Sequence, residues 1–412
     1  MTATSRHTDW FRIFRTLFGL LIMFGIFRFV NNGWIRELYI VPDYHFFFPG
    51  FSWIKALPGA WMYIPFAIMF GCGLAIALNR YYRAACAIFF LCFTYVELID
   101  VTYYLNHYYL VSLLSFILIF YNPKLPVTDR YNQMIIFFLK LQVSVVYFYG
   151  GVNKIGYDWL IEAQPLKIWL YARSDLALVA VLLKVNDMPL ILSWLAMLFD
   201  IGVSIALWHR KTRLPAYIAL CIFHLITAVL FNIGIFPWVM MIAALLFFQD
   251  WPRPVALLPM LGDLFRKKKL AALLPVVACW QILFPLRHLL YDGNYLWTER
   301  GFRFSWNIML MEKNGQVDFA AELTDGTIAD IEERGYLTAF QEKMTATQPD
   351  LIVQFAAHIR NVYLSKGIKV KKVFAICHVS LNGKRSVLYF DPGLNLLAGE
   401  QALYKSIAGR NP

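Results

Sequence analysis

A lysine set among glycines and aromatic residues is the group in this sequence whose surroundings best suit proton-transfer chemistry. Lys154 follows Gly150 and Gly151 and precedes Tyr157 and Trp159. Two interpretations are open. A lysine beside aromatic residues commonly anchors a helix at a membrane surface. A lysine kept away from water instead favours its neutral amine, which can act as a general base on a flat ring that approaches the glycines.

Other ionisable side chains lie within apolar segments, where charge is costly and a functional role is the first hypothesis. They are Glu97, Asp100, Lys140, Asp200 and His224, together with His107 at the outer edge of a segment. For Asp100, Asp200 and His224, a structural role as a paired or hydrogen-bonded core group is at least as favoured as a catalytic one. His107 opens a segment on the same side as Lys154, so it could hydrogen-bond an oxygen of a ligand there.

The composition is that of a membrane protein. The 412 residues are 59% hydrophobic, with a mean hydropathy of +0.54, so we predict a polytopic membrane protein. The net charge of +12 lies largely in short basic loops between apolar segments, which argues against a nucleic-acid partner. The six cysteines form no CxxC pair and no metal-ligand spacing, so we expect neither a metal site nor a disulfide framework.

Apolar runs of membrane-spanning length predict about nine transmembrane helices. They lie at about 16–34, 59–79, 84–104, 107–122, 133–152, 188–208, 215–232, 235–249 and 270–290. With the N-terminus inside, every basic loop is cytoplasmic, including Arg6 and the most basic loop at 250–269. The same alternation places the loop at 153–187 outside the cytoplasm. Because no cleavage pattern follows the first apolar run, we expect it to be retained as a span.

A change of composition near residue 291 predicts two domains. We predict a mostly α transmembrane bundle at 1–290 and a small extracytoplasmic α+β domain at 291–412. In the second domain a one-faced apolar pattern predicts a helix at 350–365, and a turn at 381–384 predicts a hairpin. Alternating apolar residues predict strands at 317–323, 373–377 and 386–390.

Sequence motifs for several common activities are absent. The chain contains no GxGxxG, Walker A, HExxH or GxSxG pattern, which disfavours nucleotide, zinc-protease and serine-hydrolase chemistry. No inverted half-to-half symmetry is detectable, which disfavours a transporter. A transporter or a non-enzymatic scaffold still remains one interpretation of charges within the membrane.

Several short segments, found in one order along nearly the whole chain, carry a resemblance to a known family. They include Trp61-Met62-Tyr63, Leu98-Ile99-Asp100, Asn106-His107-Tyr108, Gly151-Val152-Asn153-Lys154, Phe223-His224, Asn232-Ile233-Gly234-Ile235-Phe236, Phe304-Ser305-Trp306 and Tyr389-Phe390-Asp391-Pro392. Each is weak alone, but together they resemble the vitamin K-dependent γ-glutamyl carboxylase family, including its bacterial members with an HTTM domain.

The resemblance implies a multi-span enzyme that uses reduced vitamin K, a naphthohydroquinone, without a metal. In this family the quinol anion reacts with O₂ and gives a strong base, and the quinol leaves as the 2,3-epoxide. The base removes a γ-proton from glutamate, and the carbanion takes up CO₂. The implied partners are membrane lipids and a glutamate-containing peptide or protein. The implied location is a bacterial inner membrane, with the C-terminal domain in the periplasm or lumen.

The resemblance also implies roles for particular residues. Lys154 matches the base that deprotonates the quinol, and His107 matches a histidine that supports the charged intermediate. The residues implied in cofactor binding are Gly151, Asn153, His224, Asn232 and Phe236. The residues implied in glutamate binding are Phe302, Ser305 and Trp306. We expect Lys154, His107 and Ser305 to line one apolar cavity.

Three departures from the animal members weaken the second half of that reaction. Phe302 stands where they have tyrosine, Met311 where they have histidine, and Asn153 where they have the first of two adjacent lysines. The quinol half is therefore better supported than carboxylation of a protein glutamate. The alternatives are a vitamin K hydroquinone epoxidase without protein-glutamate carboxylation and, second, the transporter or scaffold.

Overall fold

Long apolar helices form the first part of the chain in a computed structural model, which describes residues 9–249 and 272–410. Seven helical segments in these ranges are long and apolar enough to cross a membrane. At predicted spans four and eight the apolar helices are shorter, Asn106–Leu118 and Phe236–Phe248. The predicted helical membrane bundle is thereby confirmed, and the chain is an integral membrane protein. Arg6 and the basic loop predicted at 250–269 lie outside the described residues.

The bundle and its outer loop contain twelve α-helices within the described residues. In chain order they are α1 Trp10–Asn31, α2 Tyr63–Ala77, α3 Tyr82–Ile99, α4 Asn106–Leu118, α5 Arg130–Val152, α6 Tyr157–Leu160, α7 Leu166–Tyr171, α8 Ala177–Leu182, α9 Met188–Ala206, α10 Arg213–Leu230, α11 Phe236–Ala244 and α12 Leu273–Leu283. Among the candidate spans, α5 is the central one, since 72% of its most apolar window is buried against 17% for α10.

Glycines allow two pairs of helices to pack backbone against backbone. A Cβ atom at Gly19 in α1 would lie 2.5 Å from the Gly73 carbonyl oxygen in α2. A Cβ atom at Gly151 in α5 would lie 2.9 Å from the backbone nitrogen of Ile201 in α9. Real Cβ atoms do not approach other atoms so closely, so only glycine fits at these contacts. The second contact brings Asp200 beside the C-terminal end of α5.

The loop predicted at 153–187 folds into three short helices, α6 to α8, with a small apolar core of its own. Two tryptophans fasten α6 to α9. The Trp159 indole donates to the Ser193 carbonyl at 2.8 Å, and the Trp194 indole donates to the Leu160 carbonyl at 2.9 Å. Because buried indole nitrogens need acceptors, these bonds hold the loop over the outer end of the bundle as a roof. We use that name for residues 157–171.

The C-terminal part contains a four-stranded antiparallel sheet in the order β2-β1-β3-β4. The strands are β1 Lys313–Leu323, β2 Ile328–Ile331, β3 Val370–Leu381 and β4 Val387–Leu388. Alternate residues of β1 and β3 are buried, and helix Pro349–Ser365 packs on this face through Leu351, Phe355 and Ile359. Shorter helices are Tyr295–Thr298, Ala339–Thr345 and Glu400–Ala408. The predicted α+β character is confirmed.

The two parts of the chain share a core where they meet. Phe46, Phe48 and Val101 from the outer loops of the bundle pack into the core of the sheet domain. Asp100, at the end of α3, accepts a hydrogen bond from the Gln341 side-chain nitrogen at 2.9 Å and one from the Thr102 hydroxyl at 2.7 Å. Asp100 is therefore a hydrogen-bonded core residue, which is the structural one of its two interpretations. The division at residues 290 and 291 stays a prediction.

Candidate functional site

A cavity of about 490 Å³ lies between α5, α9 and α10. The roof contributes Trp159, Leu166, Trp169 and Leu170 to its wall. Most of the lining is aliphatic or aromatic, and the polar or charged side chains in the wall are Tyr147, Lys154, Asp200, His224 and Thr227. An apolar pocket of several hundred cubic ångströms with a few polar groups is typical of sites for drug-sized organic ligands.

Lys154 lies on the turn that follows α5 and is only 5% exposed. Its Nζ donates to the Gly150 carbonyl at 2.6 Å and to Asp200 Oδ2 at 2.9 Å, and it lies 5.3 Å from the centre of the Trp159 ring. The free carbonyls at a helix C-terminus attract a cation, and the carboxylate balances its charge. A membrane-surface anchor would keep its ammonium group in water, so the geometry contradicts the anchor interpretation.

Asp200 completes this pair from α9 and is itself buried. A carboxylate within an apolar span is a visible signal in the sequence. Its partner is not visible, because 46 residues separate Asp200 from Lys154 and both ion pairing and helix packing suit such a group. The close approach of α9 to Gly151 is what brings the two side chains together. The sequence therefore points to Asp200 as a candidate without placing it at the site.

His224 and Tyr147 form a second polar pair in the cavity wall. The Tyr147 hydroxyl and His224 Nε2 are hydrogen-bonded at 2.7 Å, and His224 is 1% exposed. Within the described residues, His224 Nδ1 has no hydrogen-bond partner. Buried ring nitrogens usually have one, so this atom is an unsatisfied polar group next to the cavity. His224 therefore has the hydrogen bond that its structural interpretation predicts, and it also lines the cavity.

His107 lies behind the cavity wall. Its ring packs 4.5 Å from the Tyr108 ring and 5.9 Å from the Phe236 ring. Phe236 does line the cavity, and its other neighbour is His224, at 5.6 Å between ring centres. Phe236 thus separates the two histidines, and His107 is one aromatic ring away from the ligand space.

The segment after α12 is fastened to the end of α5 through Asn153. The Asn153 side-chain nitrogen donates to the Ser305 carbonyl at 2.9 Å and to Asn307 Oδ1 at 2.8 Å. The Ser305 hydroxyl accepts a bond from Arg287 at 2.7 Å and donates to the Gly301 carbonyl. The predicted single cavity lined by Lys154, His107 and Ser305 is wrong for the last two residues, because Phe236 covers His107 and the Ser305 hydroxyl is bonded elsewhere.

The remaining candidate residues have mixed positions. The Phe302 carbonyl accepts from the Asn307 side chain at 2.8 Å, and Trp306 is fully buried and stacks on Tyr109. Gly151 shapes the contact of α5 with α9, and Asn232 is exposed and outside the wall. The cavity wall does include Ile308 and Met309, just after Trp306, which extends the ligand space to this segment.

Comparison with known protein families gives two matches that together cover most of the chain. Residues 4–251 match the HTTM domain, and residues 266–407 match the lumenal domain of vitamin K-dependent gamma-carboxylase. The chain belongs to the vitamin K-dependent γ-carboxylase family with an HTTM domain. This confirms the resemblance predicted from the sequence. No solved structure matches the chain.

Most of the cavity of this carboxylase-family protein is built by its HTTM domain. The lining residues from 146 to 240 lie in the HTTM match, and Ile308 and Met309 lie in the lumenal-domain match. Reduced vitamin K has a flat, apolar ring system with two hydroxyl groups on opposite sides of one ring. The chemistry of the lining, aromatic walls with two separate polar pairs, fits such a group.

Proposed function

We propose that this protein is a membrane enzyme that oxygenates reduced vitamin K to its 2,3-epoxide and carboxylates a glutamate γ-carbon with CO₂. One observation carries the proposal: the Lys154 amine is buried in the wall of a large apolar cavity, beside a carboxylate. When bound, the quinol supplies the electrons for O₂ reduction and the strong base that the carboxylation needs. The residues of the chain bind it, orient it and take its proton.

The Lys154–Asp200 pair is the proposed acceptor of the quinol proton. Whichever of the two groups holds the proton they share, the pair can take up one more, and it then carries a positive charge. That charge stabilises a negative oxygen next to it, and the stabilisation is strong because the surroundings exclude water. Lys154 and Asp200 are therefore both proposed catalytic residues, since the protonated pair has an ammonium group on Lys154 and a neutral carboxyl group on Asp200.

The Tyr147–His224 pair is proposed to hold the second oxygen of the quinol through His224. Trp159, Trp169 and Phe236 provide flat faces on which the ring can pack. His107 supports the site from behind Phe236 and is a positioning residue in this proposal. Gly151 and Asn153 are proposed to hold the elements of the site in place. Gly151 allows the close contact of α5 with α9, and Asn153 donates hydrogen bonds to Ser305 and Asn307.

The glutamate acceptor is proposed to reach the cavity at Ile308 and Met309, at the edge next to Phe302, Ser305 and Trp306. A second candidate function, epoxidation without protein-glutamate carboxylation, is favoured by one observation. Ser305 and Trp306 are both 0% exposed, and the serine hydroxyl already has two partners. A scaffold would not need a cavity that extends from Lys154 to the segment after Trp306, and the lack of inverted symmetry in the sequence disfavours a transporter.

The proposed location is a bacterial inner membrane, with the roof and the sheet domain on the periplasmic side. The basic turn at 79–83 and the basic loop at 209–214 are then cytoplasmic, as the positive-inside rule requires. Membrane lipids surround the bundle in this arrangement, and a glutamate-containing peptide or protein approaches from the periplasm.

One assay separates the candidate functions. The detergent-purified protein is incubated with reduced vitamin K, labelled bicarbonate and a glutamyl peptide. Epoxide together with label in the peptide is the expected result for the carboxylase. Epoxide without label favours the epoxidase. Neither product, from protein that still binds the quinone, would overturn both enzymatic functions and favour the transporter or scaffold.

A further inference from the structure

Two residues of the sheet domain hold each other, and each of them reaches one helix of the roof. They are Asn382, in the turn after β3, and Glu312, just before β1. The Asn382 backbone nitrogen donates to the Glu312 carbonyl at 2.8 Å, and the Glu312 backbone nitrogen donates to Asn382 Oδ1 at 2.9 Å. We call this pair the clamp. Asn382 is only 2% exposed, so its hydrogen bonds are largely out of contact with water, where they are stronger.

The clamp contacts both helices of the roof, α6 and α7. The Asn382 side-chain nitrogen donates to Asp158 Oδ2 in α6 at 2.8 Å, and Lys384 Nζ lies 3.3 Å from the other oxygen of the same carboxylate. The Trp169 indole in α7 donates to Glu312 Oε2 at 2.8 Å. Hydrogen bonds to a carboxylate are stronger than those between neutral groups. Each roof helix is therefore fastened to the sheet domain by one strong bond.

The clamp is connected to Lys154 through helix α6. Trp159 directly follows Asp158 in this helix, and its ring centre lies 5.3 Å from Lys154 Nζ. Helix α6 has only four residues, too few to be stable alone, so its surroundings must fix its position. The tryptophan bonds to α9 hold one side of α6, and the clamp holds the other side. The position of the Trp159 ring over the Lys154 amine therefore depends on the bond to Asp158.

We infer that Asn382 is a positioning residue, which holds the roof in place for the chemistry at Lys154. This inference rests on the proposed function for the identity of that chemistry. The clamp residues lie in the part of the chain that matches the lumenal domain, whereas Lys154, Asp200 and His224 lie in the HTTM match. The quinol half of the reaction therefore depends on the lumenal-domain part of the chain, in addition to the part that contains the proposed catalytic residues.

The test exchanges the donor and the acceptor of the Asn382–Asp158 bond. Asn382→Asp places two carboxylates within hydrogen-bond distance, where they repel each other, and it keeps the oxygen that accepts from the Glu312 backbone. Asn382 has a φ of +51°, which aspartate tolerates as asparagine does. The double variant, Asn382→Asp with Asp158→Asn, again has a donor opposite an acceptor. The matched control is Asn361→Asp, because Asn361 is exposed on helix Pro349–Ser365.

Two measurements are made on the full chain in detergent. Hydrogen exchange of the backbone amides at 157–171, followed by mass spectrometry, shows how firmly the roof is held, independently of any reaction. The rate of epoxide formation at saturating reduced vitamin K measures the chemistry. Exchange in the transmembrane helices shows that each variant is folded.

Asn382→Asp is expected to speed exchange in the roof by about tenfold, as the loss of a charge-assisted hydrogen bond would. It is expected to lower the rate of epoxide formation by at least about tenfold, because small displacements of catalytic groups are costly. The double variant is expected to return both values to within about threefold of the wild type. Asn361→Asp is expected to change neither value.

Three results would overturn the inference. Unchanged exchange in the roof of Asn382→Asp would show that the clamp does not hold the roof. Faster exchange with an unchanged rate of epoxide formation, or a double variant that recovers neither value, would show that the bond does not position the site. If the wild-type protein forms no epoxide, the proposed function fails and the positioning role fails with it, while the exchange measurement still shows whether the clamp holds the roof.

Discussion

The Lys154 amine lies where an isolated charge would be costly and a paired one is tolerated. Asp200 compensates its charge, and the Gly150 carbonyl takes a second hydrogen bond. A buried ion pair often gives little net stability compared with apolar side chains of similar size, although removing one partner alone is destabilising. The pair is therefore better explained by its chemistry than by its contribution to folding.

That argument predicts the effect of replacing the pair with apolar residues. Lys154→Met and Asp200→Leu, made singly, are each expected to lower the free energy of unfolding by about 3–5 kcal/mol, because each leaves a buried charged group unpaired. The double variant is expected to recover most of this loss and to have no epoxidase activity. Thermal unfolding in detergent measures the stability of the single and double variants. A double variant as unstable as the sum of the single ones would contradict the argument.

The sequence predicts some of these residues and not their partners. Lys154, His224 and Phe236 were candidates, and all three line the cavity. The pairing of Lys154 with Asp200 depends on how α9 crosses α5, which no local pattern encodes. The position of His107 and the resemblance both place it at the ligand, but side-chain packing puts the Phe236 ring in front of it.

Among the helices, the contact of α5 with α9 is the one on which the site depends. Gly151→Ala would put a methyl group 2.6 Å from the Ile201 side chain and 2.9 Å from its backbone. Because the backbone of α9 cannot move aside locally, the two helices are expected to separate and the Lys154–Asp200 hydrogen bond to lengthen. The free energy of unfolding is expected to fall by about 1–3 kcal/mol, and most of the epoxidase activity is expected to be lost.

The control for this change is Gly202→Ala, in α9. A Cβ atom at Gly202 meets nothing within 4 Å. Alanine has a higher helix propensity than glycine, so the free energy of unfolding is expected to stay the same or rise slightly. Thermal unfolding and quinone binding are measured on both variants. A Gly151→Ala protein as stable as Gly202→Ala would show that the helices do not meet as closely as described.

The existence of the helices was easier to predict than their ends. Apolar length located the spans, but α3 ends at Ile99 instead of about 104, because Asp100 caps a short 3-10 turn at Val101–Tyr103. The predicted loop at 153–187 is folded into a roof, because Trp159 and Trp194 find backbone acceptors across the α6–α9 contact. Such long-range bonds leave no periodic signal in a sequence.

Across the whole molecule, the bundle and the sheet domain are held together by buried polar and aromatic contacts. His358, on helix Pro349–Ser365, stacks 4.0 Å from Tyr44 in an outer loop of the bundle. Burial lowers the pKa of His358 from its ordinary value of 6.5. This contact is therefore sensitive to acid.

The sign of that sensitivity follows from linkage. Because the folded pKa lies below the unfolded one, the unfolded state takes up a proton first as the pH falls through about 6.5. Stability is therefore full above that pH and declines below it. Thermal unfolding between about pH 7.5 and about pH 5.5 is expected to show this decline, and His358→Phe, which keeps an aromatic ring on Tyr44, is expected to reduce it. An unchanged slope in His358→Phe would assign the acid sensitivity to other groups.

The most direct measurement of the central claim is epoxide formation from reduced vitamin K by Lys154→Ala. The control is Lys167→Ala, since Lys167 is an exposed lysine in the nearby roof. If Lys154 takes the quinol proton, its removal is expected to lower the rate by at least about 10²-fold, while the protein still folds and binds menadione. Lys167→Ala is expected to keep the wild-type rate. Epoxide formation at the wild-type rate by folded Lys154→Ala would contradict the account.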